Sequence, residues 1–263
     1  MKHIYAILSY RFFIINSIKN EFKVKFARST LGLIWMILHP IAQVAIYALV
    51  LSTVLSAKLE GISSHYAYAL YLMAGILSWT LFAEIVSRSL NIFVENANLL
   101  KKVSFPKIVL PLITVGSSIV SNLLLFISII VIFTLMGHFV GLEILWFLFL
   151  MALVITLALG FGLILGILNV FIRDIGQITP ILLQFWFWLT PVVYTIDMLP
   201  PSYKIFFAIN PMTSVVNSYH SILLYGKNPD FQSLIYPIVL SLFLVVIALY
   251  MYIKANEEMA DVL

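Results

Sequence analysis

Long apolar stretches and short charged borders alternate along the chain. Six stretches of 22 to 35 residues contain no Asp, Glu, Lys or Arg. A membrane-spanning helix needs about 20 predominantly apolar residues, and a helix satisfies its own backbone hydrogen bonds in lipid. The pattern therefore predicts six transmembrane helices, over residues 31–57, 66–88, 108–136, 144–170, 176–196 and 231–253.

Residues 205–226 form a further uncharged stretch that is too polar and too short to cross a membrane. Nine of them are Asn, Pro, Thr, Ser, His or Gly. The Asn210-Pro211 pair is a typical helix start, because Asn caps the first turn and Pro suits the first helical position. A helix from there to Tyr225 would be roughly 22 Å long. We predict re-entrant or interfacial helices here, covered by protein or water.

Apolar residues also recur at helical spacing in the first 30 residues, while Arg11, Asn16, Lys19 and Lys23 lie largely elsewhere on the helix. A basic amphipathic helix of this kind lies in the membrane interface. We therefore predict an interfacial helix over residues 4–22; a simple basic anchor explains the pattern equally well. The predicted apolar face consists of Ile4, Ile7, Leu8, Phe12, Ile15, Ile18 and Phe22.

Composition and charge sharpen this picture. Apolar residues make up 63% of the chain and charged residues 10%, whereas soluble domains have about 45–50% and about 25%. These values exclude a soluble globular domain and a disordered chain. With six spans, 12 of the 15 Lys and Arg residues lie on one side, so both termini are predicted to be cytoplasmic. The chain has no cysteine and no long basic run, which argues against thiol chemistry and nucleic-acid binding.

The sequence carries no recognisable catalytic motif. It has no G-x-x-x-x-G-K-[ST] phosphate loop, no H-E-x-x-H and no G-x-S-x-G. We therefore predict that the chain has no catalytic residue, no metal site and no cofactor of its own. Glu84 and Arg88 stand four residues apart on one helix, and we expect them to neutralise each other at membrane depth.

Packing and aromatic patterns suggest further roles. The G-x-x-x-G pair Gly162 and Gly166 favours close helix packing. The run from Phe185 to Trp188 lies between Pro180 and Pro191. It is either part of an aromatic belt at the membrane interface or the lining of a pathway in which flat sugar faces stack. The candidate pathway residues are Tyr47, Trp79, Phe185, Trp186, Trp188, Tyr194 and Tyr219.

The loop after the second predicted span reads NIFVENANLLKKVSFPK. It is a short amphipathic segment with two adjacent lysines and a proline stop. Such a segment suits a cytoplasmic docking element for a soluble partner. It is equally compatible with a simple loop that follows the positive-inside rule.

Several stretches together resemble the permease subunits of type-2 ABC exporters of the polysaccharide-export branch. No single motif is diagnostic, but the set covers nearly the whole chain in the expected order. The stretches are NEFKVKFARSTLGLIWMILHP, NANLLKKVSFPKIVLPL, LNVFIRDIGQITPILLQFWFWLTPVVY, INPMTSVVNSYHSILL and the C-terminal ANEEMADVL.

The resemblance implies an all-α integral membrane fold, with one permease domain over residues 1–263. Residues 1–30 would be the interfacial segment, 31–253 the six spans, and 254–263 a cytoplasmic tail. Residues 91–102 would be a cytoplasmic coupling helix, and residues 203–225 re-entrant periplasmic helices with Asn210 and Pro211 as gate residues. The residues implied to contact the ATPase are Glu95, Asn96, Leu99, Lys101 and Lys102.

The same resemblance implies partners and a location. Two copies of the chain would enclose one pathway in the bacterial inner membrane, and a separate ATPase homodimer would bind ATP and Mg²⁺. The substrate would be a polysaccharide, such as a lipid-linked O-antigen. Three alternatives stay open: a teichoic-acid or capsule exporter, a drug or lipid permease of the same class, and a stand-alone channel or membrane enzyme.

Overall fold

The computed structural model describes residues 10–26, 32, 34–35, 37–38, 41–42, 67–97, 109–196, 200, 202, 204–255 and 258–259. The described residues contain helices and turns and no strand. The helices are α1 (Arg11–Phe26), α2 (Ala67–Glu95), α3 (Val109–Leu135), α4 (Trp146–Phe171), α5 (Asp174–Trp188), α6 (Lys204–Ile209), α7 (Pro211–Leu223) and α8 (Phe231–Ala255). A 3₁₀ turn, Leu142–Leu145, leads into α4.

Among the residues that the structure describes, four helical segments are long and apolar enough to cross a membrane. They are Ala67–Glu95, Val109–Leu135, Leu142–Phe171 and Phe231–Ala255. They match the second, third, fourth and last predicted spans, so the all-helical, multi-pass character is confirmed. Most of the first predicted span, 31–57, lies outside the described residues. The count of six spans therefore stays a prediction.

The fifth predicted span, 176–196, differs from the helix observed there. Helix α5 ends at Trp188, and the chain turns through residues 189–194. Pro191 has no N–H to donate to the helix, and its ring would crowd the preceding turn. The chain after Trp188 therefore turns instead of continuing the helix; residues 190–193 of this turn are buried, whereas Leu189 is exposed. Helix α5, with its 15 residues, is about 22 Å long.

Helix α2 is the central element of the fold. It packs against α3, α4, α5 and α7, and most of its side chains are buried. Its 29 residues span about 43 Å, whereas the hydrocarbon core of a bilayer is about 30 Å thick. The last turns of α2, which carry Glu84, Arg88 and Glu95, therefore have room to extend beyond the lipid tails.

Glycines on α4 let two neighbouring helices approach closely. A Cβ on Gly162 would lie 2.7 Å from Cβ of Ser89 on α2, and a Cβ on Gly166 would overlap the Ser89 carbonyl oxygen. A Cβ on Gly160 would lie 2.6 Å from Cβ of Leu244 on α8. The predicted packing role of the G-x-x-x-G pair is confirmed, and its partner is α2.

Two short helices, α6 and α7, occupy the region predicted to hold re-entrant helices. Helix α7 begins at Pro211, and the Asn210 side chain accepts a hydrogen bond from the backbone N–H of Met212 at 3.0 Å. Nearly all of α7 is buried against α2, α4 and α8. The helix start at Asn210-Pro211 is therefore confirmed.

Candidate functional site

Helix α1 docks on the membrane helices through a mixed face. Residues Ile14, Ser17, Ile18, Glu21 and Phe22 are partly buried, and they recur at the spacing of one helix face. The predicted apolar face divides in two: Ile18 and Phe22 are partly buried against protein, whereas Phe12 and Ile15 are exposed at 66% and 47% and are free to meet lipid. The other predicted members, Ile4, Ile7 and Leu8, lie outside the described residues. Periodicity identifies an apolar stripe but does not tell whether lipid or protein covers it.

A network of five polar side chains joins α1 to α2 and α3. Arg88 Nη2 lies 2.7 Å from Glu21 Oε1, and Arg88 Nη1 lies 3.5 Å from Glu84 Oε1. Ser117 donates to Glu21 Oε2 at 2.6 Å, and Ser118 donates to Glu84 Oε1 at 3.0 Å. The predicted Glu84–Arg88 pair is confirmed. Sequence reasoning missed Glu21, the closer partner of Arg88, and we call this group the Glu21–Arg88 network.

A cavity of about 520 Å³ adjoins the network between α1, α2 and α3. Glu95 and Asn96 lie on its wall together with Glu21, Arg88 and Asn91. The two residues predicted to couple to the ATPase therefore stand at the same end of α2 as the docked α1. Its lining combines these charged and amide side chains with the apolar residues Phe13, Ile92, Leu110 and Ile113.

The predicted coupling segment is only partly described. Residues 91–95 are the last residues of α2, so the predicted helix start at Asn91 is wrong. Asn96 donates a hydrogen bond from Nδ2 to the carbonyl oxygen of Ile92 at 2.8 Å. This bond satisfies a carbonyl group in the last turn of α2. Leu99, Lys101 and Lys102 lie outside the described residues.

An aromatic cluster joins α2, α4 and α5. Trp186 packs edge-on against Trp79, Phe82 and Phe161, with ring centroids 5.0 to 6.4 Å apart. Phe187 contacts Trp79 at 5.6 Å. These distances and tilts are favourable for aromatic pairs. Trp79 is 7% exposed, so these rings pack α5 onto the core of this chain.

The remaining pathway candidates divide by exposure. Phe185 and Trp188 are 66% and 51% exposed on the outer face of α5, and Tyr194 is half-buried in the following turn. Tyr219 is fully buried and packs edge-on against Phe147 at 6.0 Å. Tyr47 lies outside the described residues. The structure therefore brings Trp79 and Trp186 together and places Phe185 and Trp188 on a different surface.

Asn210 connects the end of α5 to the start of α7. Its Oδ1 accepts from Trp186 Nε1 at 2.8 Å as well as from Met212 N. Its Nδ2 donates to the carbonyl oxygen of Leu189 at 3.0 Å and to Oγ1 of Thr190 at 2.9 Å. One amide therefore uses both of its ends to hold the predicted gate helix against α5.

Two tyrosines of α2 hold the buried turn that follows α5. Tyr71 donates to the carbonyl oxygens of Pro191 and Tyr194, at 3.1 and 2.8 Å, and Tyr68 donates to the carbonyl oxygen of Val193. These bonds satisfy backbone groups that leave the helical pattern. Sequence reasoning missed both tyrosines, although their spacing of three residues places them on one face of α2.

Close approach of the turn depends on Gly75 and His220. A Cβ on Gly75 would lie 2.8 Å from the Val192 carbonyl oxygen and 3.0 Å from His220 Nε2. The His220 ring stacks on Tyr71 at 3.7 Å, and its Nε2 is 3.1 Å from the Tyr71 carbonyl oxygen. This histidine therefore packs α7 against α2.

An exposed apolar stripe runs along α5, where its members follow helical spacing. Helix α6 also exposes apolar side chains, with Phe206 and Ile209 both 64% exposed. In a membrane protein such a surface faces lipid or another protein. The members of the stripe on α5 are Ile178, Ile181, Leu182, Phe185 and Trp188.

Comparison with known proteins identifies relatives along nearly the whole chain. The chain is 27% identical over 259 residues to the O-antigen export system permease protein RfbA of Klebsiella pneumoniae, with 97% of each chain covered. It is 28% identical over 258 residues to the Myxococcus xanthus protein of that name, covering 96% of this chain and 95% of the relative. It is 25% identical over 244 residues to the polysialic acid transport protein KpsM of Escherichia coli, covering 91% and 92%.

The sequence profile of the ABC-2 type transporter family matches residues 14–224. This range runs from the docked α1 to the end of α7 and includes the Glu21–Arg88 network, the aromatic cluster and Asn210. A match of this extent, on an all-helical chain with several apolar helices, establishes the family. The chain belongs to the ABC-2 type transporter membrane family.

Proposed function

We propose that this chain is the membrane subunit of an ATP-driven exporter that moves a polysaccharide, such as a lipid-linked O-antigen, across the bacterial inner membrane. The observation that carries the proposal is the set of full-length relatives named for O-antigen export and polysialic acid transport. The exposed aromatic pair of Phe185 and Trp188 supports it, because flat rings bind sugar faces without demanding one geometry. Both termini lie in the cytoplasm in this proposal.

A separate ATPase homodimer supplies the energy in this proposal and binds ATP and Mg²⁺. The absence of a phosphate loop from the sequence is consistent with a division of labour between subunits. The polar end of α2 and the docked α1 form the surface that meets the ATPase. The contact residues are Glu95 and Asn96 there, and Leu99, Lys101 and Lys102 in the segment that follows.

Two copies of the chain enclose the pathway in this proposal. The exposed apolar side chains of Ile178, Ile181 and Leu182 on α5 support a second copy as the partner of this helix, and Phe185 and Trp188 then face the pathway beside that contact. Helices α6 and α7 then close the periplasmic end, with Asn210 and Pro211 at the junction.

Deletion of the gene in the native host tests the proposed substrate class. Surface polysaccharide, measured by periodate and hydrazide labelling of intact cells, is expected to disappear while the same polymer accumulates inside. Expression of this chain restores the surface signal only together with its ATPase. Normal surface polysaccharide combined with increased drug sensitivity or altered lipid asymmetry would favour the drug or lipid alternative.

The pathway role of Phe185 and Trp188 leads to a second prediction. The double variant Phe185→Ala/Trp188→Ala is expected to lower export about tenfold, because each aromatic contact contributes about 0.5–1.5 kcal/mol. Its unfolding temperature should change little, since both rings are largely exposed. Phe243→Ala on α8, which is 60% exposed, is the matched control. Unchanged export at equal membrane levels would favour the aromatic-belt interpretation.

A further inference from the structure

Helix α1 is held by a contact that a membrane anchor does not need. Its polar residues Ser17 and Glu21 lie on the face that docks against protein, while Phe12 and Ile15 are exposed. An anchor would place its apolar residues in lipid and its polar residues in water. The position of Glu21 on the docked face therefore indicates that its side chain attaches α1 to the membrane helices.

One carboxylate fixes α1 to two helices at once. Glu21 uses Oε1 for Arg88 of α2 and Oε2 for Ser117 of α3. The Glu21 and Arg88 side chains are only 38% and 28% exposed, so solvent screens this pair less than a surface pair. Two contacts to different helices restrict both rotation and sliding of α1.

A second contact lies one turn away from the charged one. Ile18 packs directly onto Gly116 of α3, where a Cβ would overlap Ile18 Cδ1. Steric contact and charge contact therefore act on the same face of α1. Beyond the docking site, α2 continues without a proline to Phe82 and Trp79, which pack against Trp186 of α5.

We propose that Glu21 and Arg88 are positioning residues that keep α1, α2 and α3 together as one rigid unit throughout the transport cycle. This inference rests on the proposed function. Force applied by the ATPase to α1 then reaches α2 directly, and α2 passes it to α5 through the aromatic cluster. The inference predicts loss of coupling, rather than loss of assembly, when the Glu21–Arg88 pair is removed.

The first test compares Glu21→Ala with the neighbouring Asn20→Ala, whose side chain is exposed. Export is measured by hydrazide labelling of intact native-host cells, and ATP hydrolysis by the purified permease–ATPase complex in liposomes. Glu21→Ala is expected to retain assembly and ATP hydrolysis but to lower export about tenfold, a typical size for coupling between sites. Asn20→Ala should match the unaltered chain. Equal export by Glu21→Ala at equal membrane levels would overturn the inference.

The second test replaces the charged contact by a covalent one. The chain has no cysteine, so Ile18→Cys/Gly116→Cys introduces a single pair. A Cβ at Gly116 would lie 3.4 Å from Ile18 Cγ1, the position that the sulfur of a cysteine at residue 18 can take, so a disulfide needs only a small adjustment there. Oxidation of washed cells with copper phenanthroline is expected to restore export in the Glu21→Ala background. In the otherwise unaltered chain, oxidation should leave export unchanged, and dithiothreitol should reverse the rescue.

The outcomes separate the inference from the proposed function. If oxidation blocks export in the otherwise unaltered background, α1 must leave its site during transport and the rigid-unit proposal is wrong. The oxidation experiment on the double-cysteine variant that retains Glu21 tests the rigid-unit proposal even if Glu21→Ala fails to assemble. If the unaltered complex exports no polysaccharide at all, the proposed function fails, and the inference that rests on it fails too.

Discussion

Replacing Asn210 with leucine is expected to destabilise the protein by about 2–4 kcal/mol. The variant loses the cap of α7, worth about 0.5–2 kcal/mol, and leaves the part-buried Trp186 Nε1–H without its Asn210 partner, which costs about 1–3 kcal/mol for a buried polar group. The Leu189 carbonyl also loses a bond, but it is exposed and can bind water instead. Leucine has the same branched arrangement of side-chain heavy atoms as asparagine but no hydrogen-bonding group, so the effect reports mainly on the hydrogen bonds. Thermal unfolding in detergent measures it.

Two companion variants sharpen this prediction. Asn210→Asp keeps the acceptor for Trp186 and Met212 but cannot donate to Leu189 or Thr190, so we expect an intermediate loss of stability. Asn217→Leu is the matched control, because Asn217 is on the same helix with an exposed side chain. Equal unfolding temperatures for Asn210→Leu and Asn217→Leu would show that the amide does not join α5 to α7.

The second large effect is expected for Gly166→Leu. A Cβ at this position would overlap the backbone carbonyl oxygen of Ser89, and a backbone atom cannot move aside as a flexible side chain can. Overpacking of a tight contact costs about 1–3 kcal/mol, occasionally more. Because α2 packs against most other helices, we expect the destabilisation of this variant to lie at the upper end of that range or above it. The yield of folded protein should be poor.

Ala152→Leu provides the control for Gly166→Leu. Ala152 lies on the same helix with an exposed side chain, so the added atoms meet lipid or detergent. Yield of monodisperse protein and unfolding temperature are compared for both variants. Similar values for the two would contradict the close packing of α4 against α2.

Charge borders predicted the long helices well, since charged residues are costly at membrane depth and mark where a span ends. The Asn210-Pro211 start of α7 was predictable for a local reason, because cap and proline act within one turn. The end of α5 at Trp188 was not predicted. Residues after Trp188 are as apolar as a span, and their carbonyls are satisfied by Tyr68 and Tyr71, more than 100 positions earlier in the chain.

Side-chain type predicted the positions of the long helices well, but it did not predict which side chains of the candidate site are exposed and which are buried. Aromatic character selected Trp79, Trp188 and Tyr219 alike, but only the folded chain separates the exposed Trp188 from the two buried rings. Helical periodicity likewise could not tell which face of α1 docks. Glu21 had no role in the predicted helix, because its partners Arg88 and Ser117 lie far along the chain.

The unbroken course of α2 has a consequence for evolution and engineering. Near one end of α2, Tyr68 donates a hydrogen bond to the turn after α5, and near the other end Arg88 forms an ion pair with Glu21 of α1. These two positions are about 30 Å apart along the helix. Insertion or deletion of one residue between them would turn Arg88 by about 100° around the helix axis relative to Tyr68. The helix would remain as apolar as before, but its two contacts would no longer face their partners. The number of residues between Tyr68 and Arg88 is therefore constrained by the fold. Substitutions in this segment are tolerated far more easily than insertions or deletions.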